Sequence, residues 1–302
     1  MKDKEVINSL NTLNREFLML LSNEDIKEAL WKNDKKSLFY KLERLCVILR
    51  FLGLNATLNF MKGNNNHGDK TENKLDINFN NQAKIVVYTS IFGSIDSILD
   101  PLYYSDSIDY RIITDQVVPE NSKWKKICFP DLGEMDNRMK NRYCKMFPHI
   151  FFSEYETSIY IDGNILVVSD LSLLLSNFSD SKIGIFNHPM RSDIYDEAAA
   201  VIYLKNALAK DVKKQIEFYR SVGFPKDFGL FENSLIVRKH NDPMVIKVME
   251  SWWSQINTFT IRDQLSLMFV IWRLNVPEGF ITTLGNDIDL CPLIRRIKHV
   301  NK

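Results

Sequence analysis

The segment Tyr160-Ile161-Asp162-Gly163-Asn164-Ile165-Leu166-Val167 carries more chemistry than any other in the chain. A short apolar run delivers a carboxylate to its tip, glycine permits a sharp reversal, and a second oxygen-bearing side chain follows before apolar residues resume. Oxygen donors at i and i+2 across a tight turn suit a hard divalent cation whose other ligands are phosphates. An ordinary Asp-Gly hairpin turn has the same pattern, and the residue types alone leave both open. Upstream, Arg138, Arg142 and Lys145 fall at helical steps of four and three, which gathers cations on one face. Such a face can meet an anion or simply be solvated. Other polar residues directly follow apolar runs: Thr89-Ser90 with Phe92-Gly93, and Thr114-Asp115. No GxGxxG follows the first run and no GxxxxGK[ST] occurs, so neither a dinucleotide fingerprint nor a P-loop is supported.

The elements that must position these residues are legible from Lys84 onward. Ile85–Tyr88, Tyr110–Ile113, Lys126–Phe129, Ser158–Ile161, Ile183–Phe186 and Ser234–Val237 read as strands, several of them continuously apolar as in a sheet buried on both faces. Helices are expected at Ser94–Leu99, at Asp136–Phe147 before Pro148, along one long stretch from Glu197 to Tyr219, and at about 243–256 and 262–274. Alternating strands and helices predict an α/β layered sandwich with a mostly parallel sheet. In such sheets ligands bind beyond the carboxyl ends of the strands, which is where the polar residues above fall. Before it, residues 1–60 read as a helical segment, with Val6, Leu10, Leu13, Phe17 and Leu20 on one face, able to pack on the rest of the chain or to form a homo-oligomer seam. Residues 61–83 read as an Asn-rich linker, and 84–302 as the α/β domain.

Composition narrows the function classes. Among 302 residues, 39 Lys+Arg balance 38 Asp+Glu, so no excess positive field exists for bulk nucleic-acid binding. A hydrophobic content of 45% excludes disorder for most of the chain. No apolar run reaches the ~18–20 residues of a membrane span. The charged start, Met1-Lys2-Asp3-Lys4-Glu5, is unlike a signal peptide, and four scattered cysteines without a CxxC pair read as reduced thiols. A cytoplasmic protein, peripheral to the membrane at most, is the expectation.

The Asp162 tip resembles the DxD region of GT-A glycosyltransferases, with Asn164 in place of the second Asp. More broadly, the chain resembles a glycosyltransferase-like domain family once catalogued as a domain of unknown function, with bacterial and plant cell-wall members. The matching segments are Tyr88–Gly93 with Asp96, Arg142 through Lys145 to His149, Tyr160–Asn164, His188-Pro189-Met190-Arg191 with Tyr195 and Glu197, Gln215 and Tyr219, Gly223 and Pro225, Gly229–Glu232, Val237–Asn241, Trp252-Trp253, and Arg262–Ser266. They span about residues 84–300 and leave the N-terminal segment unexplained.

The resemblance implies a GT-A-like fold and a nucleotide-diphosphate sugar donor, UDP-linked, whose sugar passes to a carbohydrate acceptor in surface polysaccharide synthesis. It implies Mn²⁺ or Mg²⁺ at the leaving diphosphate, with Asp162 as the main ligand, Asn164 as a neutral oxygen and His299 completing the set. Lys145 stands where many such enzymes carry a basic residue that reaches the donor, with Arg138 and Arg142 beside it; Arg295, Arg296 and Lys298 are further cations for the diphosphate. Thr89, Asp96 and Asp115 are expected at the nucleoside. Asp263 and Gln264 are expected against the donor sugar, Asp263 either binding hydroxyls or acting as base for the acceptor, with Glu232 the rival carboxylate. A plain helix cap is the other reading of Asp263. His188, Arg191 and Glu197 are candidates for sugar or acceptor, and Trp252 and Trp253 for core. Two other classes are set beside the enzyme: a non-catalytic nucleotide-sugar or glycan-binding domain, favoured by the missing second carboxylate, and a nucleotidyltransferase, which would need a Gly-rich basic loop where only Gly93 stands.

Overall fold

The computed structural model describes residues 85–297 apart from 95 and 179. The expected N-terminal helices, the linker and His299 lie outside the described residues. A seven-stranded sheet forms the centre, in the order β3-β2-β1-β4-β7-β6-β8. Its strands are β1 (Ile85–Ile91), β2 (Ile108–Thr114), β3 (Lys125–Ile127), β4 (Thr157–Ile161), β6 (Ile183–Asn187), β7 (Phe231–Arg238) and β8 (Ile281–Gly285). The pairs β3/β2, β2/β1, β1/β4 and β6/β8 are parallel, and β7 runs antiparallel to both neighbours. A separate antiparallel pair joins β5 (Ile165–Val167) to β9 (Ile294–Arg296). The α/β class and the mostly parallel sheet are as expected.

All seven residues of β1 are buried, which is why its sequence is nearly continuous in apolar side chains rather than alternating. The helix α1 (Asn137–Met146) is capped by the Asp136 carboxylate, which accepts the Met139 N–H at 2.8 Å. Phe147 ends it, and Pro148 opens the four-residue α2 (Pro148–Phe151) at a position where its missing N–H costs nothing. α1 packs on the sheet with α5 (Pro243–Thr258) over a core that includes Val86, Tyr88, Tyr160, Ile236, Val248 and Trp252.

Three helical expectations are corrected. Residues 93–94 and 96–100 are turn and coil, not helix, because the Gln116 amide donates to the carbonyls of Gly93 and Asp96 and holds them in an open loop. The long helix from Glu197 to Tyr219 is two helices, α3 (Ile194–Tyr203) and α4 (Ala209–Ser221). Lys205, at φ 55°, takes the left-handed conformation that ends helices, a feature that apolar spacing does not report. The segment from Arg262 begins as a single 3-10 turn, Asp263–Leu265, before α6 (Leu267–Arg273). Among the described residues no helix is long and apolar enough to cross a membrane.

Candidate active site

The register places one set of backbone ends along a single edge of the sheet. Ile91 of β1 pairs with Thr114 of β2, Ile161 of β4 with Leu235 of β7, and Phe186 of β6 with both Glu232 and Gly285. The carboxyl ends of the parallel strands and the amino end of antiparallel β7 therefore meet there. The Asp162 N–H donates to the Ser234 carbonyl at 2.8 Å and the Ile165 N–H closes back on the Asp162 carbonyl at 2.9 Å, which fixes the turn. Glycine at 163 gives the turn room, since a β-carbon would stand 2.8 Å from Ile91 Cγ1, which would have to shift, and 3.4 Å from Asp96 Oδ2. The Asp162 turn and Asp96 are thus neighbours. A β-bulge between Ile185 and Phe186 redirects the strands beside this point.

Asp162 and Tyr160 are two apart on a strand and so share a face. The Tyr160 phenol donates to Asp162 Oδ1 at 2.9 Å. Burial, reinforced by the Asp162 charge, pushes that phenol well above its ordinary pKa and keeps it a donor. The buried Lys145 brings Nζ to 2.6 Å from Asp263 Oδ2 and 3.8 Å from Asp162 Oδ1. The same ammonium lies 5.1 Å from the Tyr160 ring centroid and 6.0 Å from that of Trp252. On the other side Arg142 stands 3.5 Å from Asp263 Oδ1. The Trp252 indole donates to the Asp263 carbonyl at 3.0 Å, so that residue is held by backbone and side chain together. Burial alone would raise the Asp263 carboxyl, but Arg142 and Lys145 outweigh it and hold it far below the usual carboxylate range. The neighbouring Arg262 guanidinium donates to the Gln264 amide oxygen at 3.1 Å.

These contacts revise the part expected of Asp263. It caps no helix, and its two oxygens face the cations of α1 rather than open space. A carboxyl so strongly acidic is a poor proton acceptor near neutral pH. In this structure its charge is met by Lys145 and Arg142. Arg138, the third member of the expected cationic face, is exposed and makes no such contact.

Glu232 sits at the amino end of β7. It accepts the Ser234 hydroxyl at 2.5 Å and the Gln264 amide at 3.3 Å, and the Arg296 guanidinium lies 3.6 Å away. Arg296 also pairs with Asp289 at 2.9 Å, so it is engaged by carboxylates of the chain; Arg295 is exposed. Next along the edge, Arg191 bonds the buried Glu197 at 2.5 Å and its guanidinium lies 3.1 Å from His188 Nε2, while the N–H groups of Met190 and Arg191 donate to His188 Nδ1, which leaves the proton of the neutral ring on Nε2. Burial first, and then Arg191, lowers the His188 pKa, which favours the neutral ring that accepts those bonds. At the other end, both oxygens of Asp115 accept the Gly93 N–H, at 3.0 and 3.1 Å, and pin the loop after β1. Gly93 needs its φ of +69°, and a β-carbon there would meet Asn137 at 2.5 Å. Thr89 is buried, with a hydroxyl that finds no partner among the described residues. Trp252 is core, as expected, and Trp253 is partly buried against Tyr143 and Phe147.

The metal set is only half in view. Asn164 uses its side-chain Nδ2 on the Ile297 carbonyl at 3.2 Å, and its backbone carbonyl accepts the Ile297 N–H at 2.8 Å, so it ties the chain after β9 to the turn. Asp162 already meets a phenol and an ammonium. Among the described residues no group of three or more His, Cys, Asp or Glu could hold a metal ion. Asp162 and the side-chain oxygen of Asn164 are two oxygen donors, and a divalent cation needs further ligands beyond them.

Sequence reasoning missed the Lys145–Asp263 pairing, which spans 118 residues. Strand alternation is the signal that would have set Tyr160 beside Asp162 and Ser234 beside Glu232.

An α/β sheet with charged and polar groups gathered at its strand ends is a fold and site that sugar-transferring enzymes share with other classes. The family model for the TOD1/MUCI70 glycosyltransferase-like domain matches residues 55–299, and the chain belongs to that family. A probable hexosyltransferase MUCI70 of Arabidopsis thaliana is 23% identical over 233 residues, which cover 68% of this chain and 40% of that protein. The chain thus spans well under half the length of that relative. Among solved structures, the apo form of the WbbM bifunctional glycosyltransferase aligns over 68% of this chain and 39% of its own, at 11% identity and a TM-score of 0.38. Mouse xyloside xylosyltransferase 1 aligns over 67% and 84%, at 12% identity and 0.36.

Proposed function

We propose that this chain is a GT-A-type glycosyltransferase that takes a hexosyl group from a UDP-linked sugar and passes it to a carbohydrate acceptor, in surface polysaccharide synthesis on the cytoplasmic side. The observation that carries the reading is the Lys145 ammonium, buried between Asp263 and the partly exposed Asp162 at the carboxyl end of β4. In this reading the donor diphosphate lies over the Asp162 turn, and Lys145 with Arg142 answers the charge that develops as the sugar leaves. Asp263 keeps both cations in place. The loop after β1, braced by Asp115 and neighboured by Asp96, lies on the nucleoside side. Glu232 and Gln264, already joined by a hydrogen bond, face the sugar and its acceptor. Glu232 replaces Asp263 as the carboxylate offered for acid–base or hydroxyl-binding work, because it is not clamped by two cations at the α1 face.

Mn²⁺ or Mg²⁺ would need a ligand beyond Asp162 and Asn164, and His299 is the residue proposed for it. Incubating the full chain with a panel of nucleotide sugars and following released nucleotide tests the proposal. One UDP sugar should be turned over in an acceptor-dependent manner. Loss of turnover in EDTA, restored by Mn²⁺, would support the His299 set; full activity in EDTA would assign the leaving-group charge to Lys145 and Arg142. Saturable nucleotide-sugar binding without turnover on any acceptor would favour the binding-domain reading.

A further inference from the structure

Arg238 is the last residue of β7 and pairs with Ser158, four positions before Asp162 on β4, so its backbone stands at the opposite end of the sheet from the candidate site. It is 0% exposed. No carboxylate among the described residues pairs with it. Its guanidinium instead donates to the Lys145 carbonyl at 2.6 Å, to the Tyr88 hydroxyl at 2.6 Å and to Met249 Sδ at 3.2 Å. The Tyr88 hydroxyl in turn donates to the carbonyls of Cys144 and Lys145, at 3.2 and 3.3 Å. The carbonyls of the last turn of α1, which have no partner within the helix, are thus gathered by a cation and a phenol. A positive charge there also opposes the helix dipole, which offsets part of the cost of burying it.

Side chains on a helix lean back toward its N-terminus. Lys145 therefore rises from this anchored turn along the sheet face, past the rings of Tyr160 and Trp252, to Asp263 and Asp162. It is a long flexible arm with its tip at the site and its root held at the far end. Packing alone would be served as well or better by an apolar residue at 238, since buried ionic groups are often replaced by hydrophobic ones without loss.

We infer that Arg238, working through Tyr88 and the Lys145 carbonyl, is a positioning residue that sets where the Lys145 ammonium stands relative to Asp162. This rests on the reading of Lys145 as a donor-site cation. The arrangement explains a buried arginine, without a counter-ion among the described residues, in terms of what it holds.

The test uses the full chain with Arg238→Met, Lys145→Met, the double variant and Tyr88→Phe. One readout is the ¹H–¹⁵N signal of the Lys145 ammonium, assigned by its absence in Lys145→Met. Others are UDP affinity and donor kcat/KM. Arg238→Met should shift or broaden the ammonium signal and lower donor kcat/KM roughly 10²-fold, the scale of a small misplacement of a reacting group. The double variant should be no worse than Lys145→Met alone. Tyr88→Phe, which keeps the bond from Arg238 to Lys145, should lose less in the same direction and carries the test if Arg238→Met fails to fold. An unchanged ammonium signal and unchanged kcat/KM, or losses that simply add to those of Lys145→Met, would overturn the inference. A signal that responds in a protein that binds no UDP would overturn the donor reading while leaving the anchor in place.

Discussion

At the Asp162 turn, Lys145 stands between two carboxylates, one sealed with it and one 28% exposed. At the start of α3, Arg191 closes on Glu197, whose side chain is 3% exposed, with His188 alongside. Both clusters occupy the same edge of the sheet and both fall within the segment that the family model matches, but their charges are arranged differently. The second satisfies itself: one cation, one carboxylate and a neutral ring bonded to backbone N–H groups. The first keeps a partly exposed carboxylate at the strand edge with a buried ammonium directly behind it, where an incoming anion can exchange partners. Residues that share a motif therefore need not share a task. The Lys145 cluster is suited to chemistry, and the Arg191 cluster to holding the chain after β6 in place.

The largest effect that would break this comparison is expected at Asp263. Asp263→Asn leaves Lys145 and Arg142 without their buried carboxylate, and loss of one partner of such a pair typically costs about 3–5 kcal/mol. Urea unfolding should show that loss together with collapse of turnover. The carboxyl is depressed in the folded state, so its stabilisation is fully present above the unfolded value of ~3.9 and is lost as pH falls below it. The gap between wild type and variant should hold steady from about pH 5 to 8 and close in more acid solution. A gap that instead changed across neutrality would restore Asp263 as a titrating base.

A smaller effect is expected in the second cluster. Glu197→Gln keeps a hydrogen-bond acceptor for Arg191 but removes the charge, a change on the order of 1–3 kcal/mol for a buried charged hydrogen bond. Thermal unfolding should register it while UDP affinity stays as in wild type. Loss of UDP binding without loss of stability would move the Arg191 cluster into the site. Smaller again, Asp115→Ala removes the acceptor for the Gly93 N–H, with a cost of about 1 kcal/mol, and should raise hydrogen exchange at Gly93. At the low end, Arg138→Ala should lie within about 0.5 kcal/mol of wild type in stability, as exposed substitutions do, with unchanged turnover. A large loss of turnover there would extend the cationic face along the whole of α1.

Much of the sheet was legible because buried parallel strands write themselves as apolar runs, as β1, β4 and β6 do. The break between α3 and α4 was not, because it depends on the backbone of Lys205 rather than on the spacing of apolar residues. At the site, Asp162, Lys145 and Arg142 could be picked out by type and spacing, whereas the role of Asp263 could not. Its environment is made by a helix more than a hundred residues earlier, whose two cations face its oxygens. Asn164 shows the same limit: its amide nitrogen holds Ile297, a contact that its place in the turn does not announce.

The central claim is that the Lys145 ammonium beside Asp162 receives the diphosphate of the donor. Calorimetric titration of UDP into the full chain and into Lys145→Met tests it most directly, with circular dichroism to verify that the variant is folded. The expected result is saturable binding to the wild type and affinity at least about tenfold weaker in the variant, a difference of ~1.4 kcal/mol or more. Equal affinity in the two folded proteins would contradict the claim.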